Sequence, residues 1–241
     1  MLPIKQNDPK ALFKTPFTPT YWKTAAYELK SIRMLVVAAI LIAMRVALKS
    51  IYIPVGESLN ITIGFFVNAL GAMIFGPVVA VLGAAVSDTI GALLTSASQG
   101  PYFFPFIFVE ILGSLLFALF LYRTKLTPAR VILSRFAVTL GCNLILNPLI
   151  LSLYYQMVLD KNYTIFSIPR VIKNLVLFPA ESLLLVIFLS AMLPVLKALK
   201  LIPAEQAKGM NISNKHVVLV AVLLVIAIVV VIVYYRFYLV K

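Results

Sequence analysis

Residues 32 to 236 form an almost continuous apolar sequence, which short polar loops divide into about seven stretches long enough to cross a bilayer. Hydrophobic residues make up 62% of the chain and charged residues only 12%, so a water-soluble fold would lack the polar surface that it needs. With 241 residues there is room for one helical bundle and little else. The chain is therefore predicted to be an all-α integral membrane protein.

The apolar stretches predict a six-helix domain over residues 31 to 200, followed by a linker and an extra C-terminal helix within residues 201 to 241. Gly76 and Pro77 predict a tight break between the second and third spans, because Gly ends helices well and Pro begins them well. The predicted spans cover residues 32 to 49, 60 to 76, 78 to 96, 104 to 122, 131 to 156, 169 to 195 and 216 to 235.

The basic residues explain the orientation of the chain rather than a nucleic-acid partner. The net charge is +13, but the cations are spread over helix ends, before the first span, around the fourth loop (including Arg135) and after the sixth span. If the spans alternate, all these groups fall on one side, and the positive-inside rule makes that side the cytoplasm. Residues 1 to 30 are then cytoplasmic, and residues 21 to 29 are predicted to form a short amphipathic helix on the membrane surface, held by Trp22 and lysines.

Charged residues inside the apolar stretches mark where function is expected, because a charge at membrane depth is costly unless it faces a cavity or a partner. Five such residues are Arg45, Asp88, Glu110, Lys173 and Glu181. For Asp88 the sequence favours a structural anchor over a ligand-binding role.

The first span carries alanines at every fourth position, Ala39, Ala43 and Ala47. Such a stripe lets another helix approach closely, either a partner subunit or a helix of the same bundle. Arg45 lies about 200° around the helix from Ala43, so it faces the interior when the alanines face outward.

The fifth and sixth spans carry amides and charges along one side. On the fifth, Asn143, Asn147 and Tyr154 share a face; on the sixth, Arg170, Asn174, Leu177 and Glu181 fall within about 60°, with Lys173 on the flank. Amides complement the edge of a heteroaromatic ring, and cations suit a carboxylate. The pattern predicts a pocket for an anionic, aromatic small molecule; the alternative is hydrogen bonding between helices alone.

Residues 98 to 105 form an aromatic, proline-rich outer loop that includes Tyr102 and Phe104. This loop could cover a flat ligand, and an interfacial aromatic belt is the alternative.

The sequence has no phosphate-binding loop and no motif for a metal or a catalytic nucleophile, so no enzyme and no cofactor are predicted. The energy for any transport must come from other subunits. The single cysteine, Cys142, is predicted to serve packing.

An ordered set of motifs resembles the substrate-binding S components of energy-coupling factor (ECF) vitamin transporters, specifically the folate family. The motifs are the alanine stripe followed by Arg45, ITIGF (61 to 65), FGPVVAVLGAAVSD (75 to 88), GPYFFPF (100 to 106), NLILNPLILSLYY (143 to 155) and IPRVIKNLVLFPAESLLL (168 to 185). Two positions differ from the family pattern. Asn60 stands where folate-type members commonly carry a basic residue, and residues 104 to 106 read FPF after the aromatic pair instead of PGF.

The resemblance implies a six-helix bundle with its ligand cavity near the outer surface, the alanine stripe against the transmembrane T component, and two cytoplasmic ATPases that drive release. It thus implies capture of folate or a related vitamin in the prokaryotic plasma membrane. The alternatives are an S component for a pterin-like, nucleobase-like or cobalamin-like micronutrient, and a membrane scaffold that transports nothing. The predicted substrate-binding residues are Arg45, Asn60, Tyr102, Phe104, Glu110, Asn143, Asn147, Arg170, Lys173, Asn174 and Glu181.

Overall fold

The protein is described by a computed structural model that covers residues 12–49, 51–56, 59–99, 101–165 and 167–210, with Val218, Ala221, Val222, Val225 and Val229 beyond them. Within these residues the chain is almost entirely helical. Its α-helices are α1 (Pro19–Ala26), α2 (Ile32–Lys49), α3 (Gly64–Gln99), α4 (Ile107–Leu121), α5 (Pro128–Val138), α6 (Asn147–Val158) and α7 (Ile168–Ala198). Short 3-10 helices cover Glu28–Lys30, Phe104–Phe106 and Gln206–Gly209.

Helix α3 is broken in its middle and folds back on itself. Gly76 has φ 75° and ψ −174°, a conformation open mainly to glycine, and Pro77 follows it. Both halves lie along α2, since a Cβ on Gly71 would contact Leu41 and a Cβ on Gly83 would contact Ile42. The break at Gly76 and Pro77 is thus confirmed.

The two ends of the bundle differ in what they contain. At one end, here called the α1 end, the fold-back of α3 meets the end of α4, because Gly76 lies against the Tyr122 ring. Helix α1 and the last residues of α7 also lie at the α1 end. The Tyr21 hydroxyl donates a hydrogen bond to the carbonyl of Ala118, and the Arg33 guanidinium donates one to the carbonyl of Leu199. The opposite end, here called the distal end, contains the starts of α4 and α7 and the end of α6.

A hairpin precedes α3 where the sequence predicts helix from residue 60. Strands β1 (Tyr52–Gly56) and β2 (Leu59–Thr62) pair antiparallel, and α3 begins only at Gly64. The predicted start of the second span was therefore wrong by four residues. The sequence IYIPVG mixes β-branched residues with Tyr, Pro and Gly, and the run ITI is entirely β-branched, which favours extended chain over helix.

The fifth predicted span is one continuous rod made of α5, a π-helix over Thr139–Leu146, and α6. It begins at Pro128 rather than residue 131, because Thr127 caps it: the Thr127 hydroxyl accepts a hydrogen bond from the amide of Arg130 at 3.3 Å, and Pro128 stands at the first helical position. This earlier start places Arg135 two turns inside the helix.

Four helical segments of the described chain are long and apolar enough to cross a membrane: Gly64–Ser96, Phe104–Leu121, Pro128–Val158 and Arg170–Ala198. A fifth candidate is the bent pair of Pro19–Lys30 and Ile32–Lys49, whose parts meet at 92°. The predicted all-α membrane architecture is confirmed, with the hairpin as a small addition, and the count of six helices stays a prediction. The predicted seventh span lies largely outside the described residues, of which five in that stretch are helical.

Large apolar side chains cover the outside of the bundle as well as its core. Phe117, Leu121, Leu185 and Leu189 are fully buried, whereas Leu94 is 71% exposed. Contiguous exposed apolar surface of this kind fits a lipid solvent.

Candidate functional site

Arg45 is the centre of a polar cluster between α2, α3 and α4. Its guanidinium pairs with Glu110 at 3.1 Å and donates to Asn68 Oδ1 at 3.3 Å and to Ser114 Oγ at 3.2 Å. Ser114 also donates to Asn68 at 2.6 Å. Arg45 thus faces the interior, as its angular position predicts. The Glu110 side chain remains 38% exposed, so this carboxylate is within reach of a ligand.

Two further buried ion pairs join neighbouring helices. One turn along α2, the Lys49 ammonium contacts Asp88, which is only 4% exposed. Asp88 therefore has the partner that a structural anchor requires. On α5 and α7, Arg135 Nε lies 3.2 Å from Glu181 Oε2, and the Arg135 guanidinium also covers the Phe65 ring at 4.4 Å.

The position of Arg135 corrects a sequence interpretation. It was grouped with the loop cations of the positive side, but it is 5% exposed and buried against Glu181. The reason is the earlier start of α5, which moves this residue from a helix end into the bundle. Glu181, predicted to bind substrate, is therefore already engaged by a cation.

At the start of α7, two cations have no carboxylate partner among the described residues. Arg170 donates to the Tyr163 hydroxyl and lies 5.6 Å from the Tyr163 ring centroid. Lys173 is half-buried one turn further on, and the described part of the chain gives it no ion pair. Asn174 donates to the carbonyl of Arg170 at 2.9 Å, so its side-chain oxygen is left to accept from a ligand.

An aromatic cluster, here defined as Phe103, Phe106, Tyr154, Tyr155 and Tyr163, connects the loop after α3 to Arg170. Phe103 and Phe106 contact Tyr154 with ring centroids 5.4 and 5.9 Å apart. Tyr154 contacts Tyr155 at 6.1 Å, and Tyr155 contacts Tyr163 at 4.9 Å. Because Tyr163 accepts from Arg170, aromatic faces and an available cation lie side by side at the distal end.

The other predicted binding residues are spread around this end. Asn143 lies in the π-helix and Asn147 begins α6; both are half-buried. Tyr102 is half-buried, and Phe104 is 57% exposed and contacts Phe108 at 5.8 Å. Asn60 is opposite Pro54 in the hairpin. No hydrogen bond or ring contact found among the described residues joins them into one group, so their shared role stays a prediction.

The alanine stripe faces outward. Ala39, Ala43 and Ala47 are all exposed, and so are the neighbouring Val36 and Ile40. This face of α2 is therefore not packed against another part of the described chain. Any partner of this face lies outside the described residues.

Sequence reasoning missed several residues that the structure brings into the polar network, namely Asn68, Ser114, Arg135 and Tyr163. Asn68 had a usable signal, because a lone amide in the apolar run GFFVNALGAM needs a partner at membrane depth. Ser114 and Tyr163 had none, since single hydroxyls are common in such segments. Cys142 is free and buried against Gly113, in agreement with a packing role.

Two cavities lie outside the distal end. One of about 280 Å³ is lined by Ser190, Leu193, Pro194, Lys197 and Met210, close to the α1 end. The other, of about 30 Å³, separates α2 from α3 beside Arg45 and is too small for a vitamin.

Comparison with known proteins gives a consistent class. Residues 29–200 match the family described as "ECF-type riboflavin transporter, S component". A folate transporter FolT from Clostridium novyi (strain NT) is 25% identical over 160 residues, which cover 65% of this chain and 88% of that protein. A folate transporter FolT from Leuconostoc mesenteroides subsp. mesenteroides is 31% identical over 151 residues, 62% of this chain and 80% of that protein.

A solved structure has the same fold. The crystal structure of FolT bound with folic acid superimposes with a TM-score of 0.54 at 32% identity, covering 63% of this chain and 88% of that one. Fold and matches together define a multi-pass membrane subunit of an importer, which is a transport protein and not an enzyme.

The chain belongs to the S components of ECF-type transporters, in their folate family. The resemblance stated from its motifs is thereby confirmed. A membrane scaffold without a transport role does not fit this membership.

Proposed function

We propose that this protein captures folate at the distal end of its bundle. The carrying observation is that Arg170 and Lys173 have no carboxylate partner in the described chain, whereas Arg45, Lys49 and Arg135 each have one. Arg170 and Lys173 are both half-buried, and a cation that loses hydration without gaining an acid is costly, so a binding site is the reason to keep them. A carboxylate-bearing ligand supplies the missing charge.

The chemistry of folate fits what surrounds these cations. Its flat rings can stack on the aromatic cluster, which offers offset and edge-on partners. Its glutamate carboxylates match the Arg170 guanidinium and the Lys173 ammonium in charge-assisted hydrogen bonds. The half-buried amides of Asn143, Asn147 and Asn174 offer donors and acceptors for the edge of the pterin ring.

The exposed carboxylate of Glu110 extends this proposal towards α2. Arg45 holds Glu110 from one side and is itself fixed by Asn68 and Ser114, which leaves the open side of Glu110 to accept N–H groups of a ligand. In this arrangement Arg45 positions Glu110 rather than binding a ligand carboxylate itself. Glu181 is buried against Arg135, so in this proposal it supports the site through that pair. Asn60, Tyr102 and Phe104 complete the proposed rim.

Direct ligand binding tests the proposal. The purified chain is titrated calorimetrically with folate, the vitamin in the names of its relatives, and with riboflavin, the vitamin in the family's description. The two dissociation constants show which vitamin it prefers. We expect saturable folate binding at one site and much weaker riboflavin binding, because riboflavin lacks a carboxylate. Tight riboflavin binding without folate binding would reject folate as the ligand.

In this proposal, delivery of the vitamin requires a T component and two ATPase subunits as partners. The protein lies in the cell membrane with its N-terminus in the cytoplasm. Two observations support it. The alanine stripe is exposed, and the sequence lacks a phosphate-binding loop. Reconstituted alone, the protein should bind its ligand but not accumulate it in liposomes.

The stripe can be tested by adding bulk. Ala43→Trp should abolish co-purification of the T component and leave folate affinity nearly unchanged, because Ala43 and Arg45 lie on opposite sides of α2. Ala191→Trp, at an exposed position of α7, is the matched control. If Ala43→Trp assembles like the parent, the stripe faces only lipid.

A further inference from the structure

Helix α1 is fixed to the bundle through one face. Tyr21 and Ala25 are fully buried, and the Tyr21 hydroxyl donates to the carbonyl of Ala118 at 2.9 Å. The Tyr21 ring packs edge-on against Phe13 and Tyr122, at 5.5 and 5.3 Å. This contact sets the rotation of α1 and so determines which residues point away from the protein.

The exposed aromatic and basic residues of this segment, here called the α1 surface, are Lys14, Phe17, Trp22, Lys23, Tyr27 and Lys30. Phe17 is 87% exposed, and the Lys30 ammonium lies 3.9 Å from the Tyr27 ring centroid. The Trp22 ring is held in place, since its indole N–H donates to the carbonyl of Pro16 at 3.0 Å. Large aromatic rings beside lysines are typical of the boundary between lipid and water.

The described acid nearest to this surface is not available to neutralise it. Glu28 accepts from Arg123 at 2.9 Å and from the Tyr122 hydroxyl at 2.6 Å, on the side that faces the bundle. The three lysines of the α1 surface have no ion pair among the described residues. Their positive charge therefore faces outward without compensation.

The direction of α1 fits the plane of a membrane. The segment Pro19–Lys30 meets α2 at 92°, so when α2 crosses the bilayer this segment runs along its surface. The aromatic rings can then enter the headgroup layer, and the lysines can reach phosphates.

We propose that the α1 surface is a binding site for anionic phospholipid headgroups. The aromatic rings supply affinity for the interface, and the uncompensated lysines supply preference for negative lipids. Because Tyr21 and Glu28 fix α1 to α4, lipid bound there holds the α1 end of the bundle at the membrane surface.

Trp22 allows a direct test, because it is the only tryptophan in the chain. The full-length protein is reconstituted into phosphatidylcholine vesicles in which a fixed fraction is replaced by phosphatidylglycerol or phosphatidylcholine brominated near the headgroup. Bromine quenches tryptophan fluorescence on contact. We expect quenching by the anionic lipid at least about twofold stronger than by the neutral one, with the difference falling at about 0.5 M salt.

The triple variant Lys14→Gln, Lys23→Gln, Lys30→Gln should lose the preference while keeping quenching by both lipids. Lys161→Gln, at an exposed position of the distal end, should keep it. Equal quenching by the two lipids in the parent overturns the proposal, and so does an unchanged preference in the triple variant. Protection of Trp22 from both lipids also overturns it and indicates a protein partner on this surface.

Discussion

The buried cations of this protein fall into two regions with opposite chemistry. In the bundle interior, Arg45, Lys49 and Arg135 each meet a carboxylate from a neighbouring helix. At the distal end, Arg170 donates to the Tyr163 hydroxyl, and neither Arg170 nor Lys173 forms an ion pair with a described acid. The same residue types thus serve two purposes. The paired cations join helices, and the unpaired cations are available to a ligand.

The largest expected effect comes from breaking an interior pair. Arg135→Met leaves Glu181 buried without its cation, and we expect a loss of about 3 to 5 kcal/mol in the free energy of unfolding. Thermal unfolding of the purified protein measures it. The double variant Arg135→Met, Glu181→Leu should regain most of that stability, since it removes both charges. A single variant as stable as the parent would mean that the interior pair does not support the fold.

A smaller effect is expected from the fold-back of α3, which sets the positions of Asn68 and Asp88 against α2. A Cβ at Gly76 would lie 2.8 Å from the Tyr122 ring, and its φ of 75° is unfavourable for alanine. Gly76→Ala should therefore lower stability by about 1 to 3 kcal/mol. Gly64→Ala is the control, because a Cβ there meets nothing within 4 Å. Equal thermal unfolding of the two variants would contradict the assigned geometry.

The sequence predicts the helical elements better than the partners of their polar residues. Apolar runs and the Gly-Pro pair are local signals, so α2, the break in α3 and the extent of α7 follow from them directly. Ion pairs depend on which helices become neighbours. Glu110 and Glu181 were identified as functional charges, but their partners Arg45 and Arg135 are 65 and 46 residues away in the chain.

Arg135 illustrates the same limit at a helix boundary. A cap at Thr127 moves the start of α5 by three residues relative to the prediction, and this decides whether a cation lies in a loop or in the core. The hairpin before α3 is a similar case, since short strands bounded by Pro and Gly give weak signals beside long apolar helices.

The central claim is that the cations at the start of α7 bind a ligand carboxylate, and Lys173 tests it most directly. The dissociation constants of the parent and of Lys173→Met are measured by isothermal titration for folate and for its diamide, in which both glutamate carboxylates are neutral. We expect Lys173→Met to weaken folate binding at least about tenfold, or about 1.4 kcal/mol, and to change diamide binding little.

Lys161→Met, an exposed lysine at the same end, should bind both ligands like the parent, and thermal unfolding should show Lys173→Met to be as stable as the parent. Stability should fall little, because Lys173 forms no ion pair with a described residue and Glu181, the described acid that acts on it, is already paired with Arg135. If a folded Lys173→Met protein binds folate as tightly as the parent, or loses folate and diamide equally, the distal cations do not bind the carboxylate.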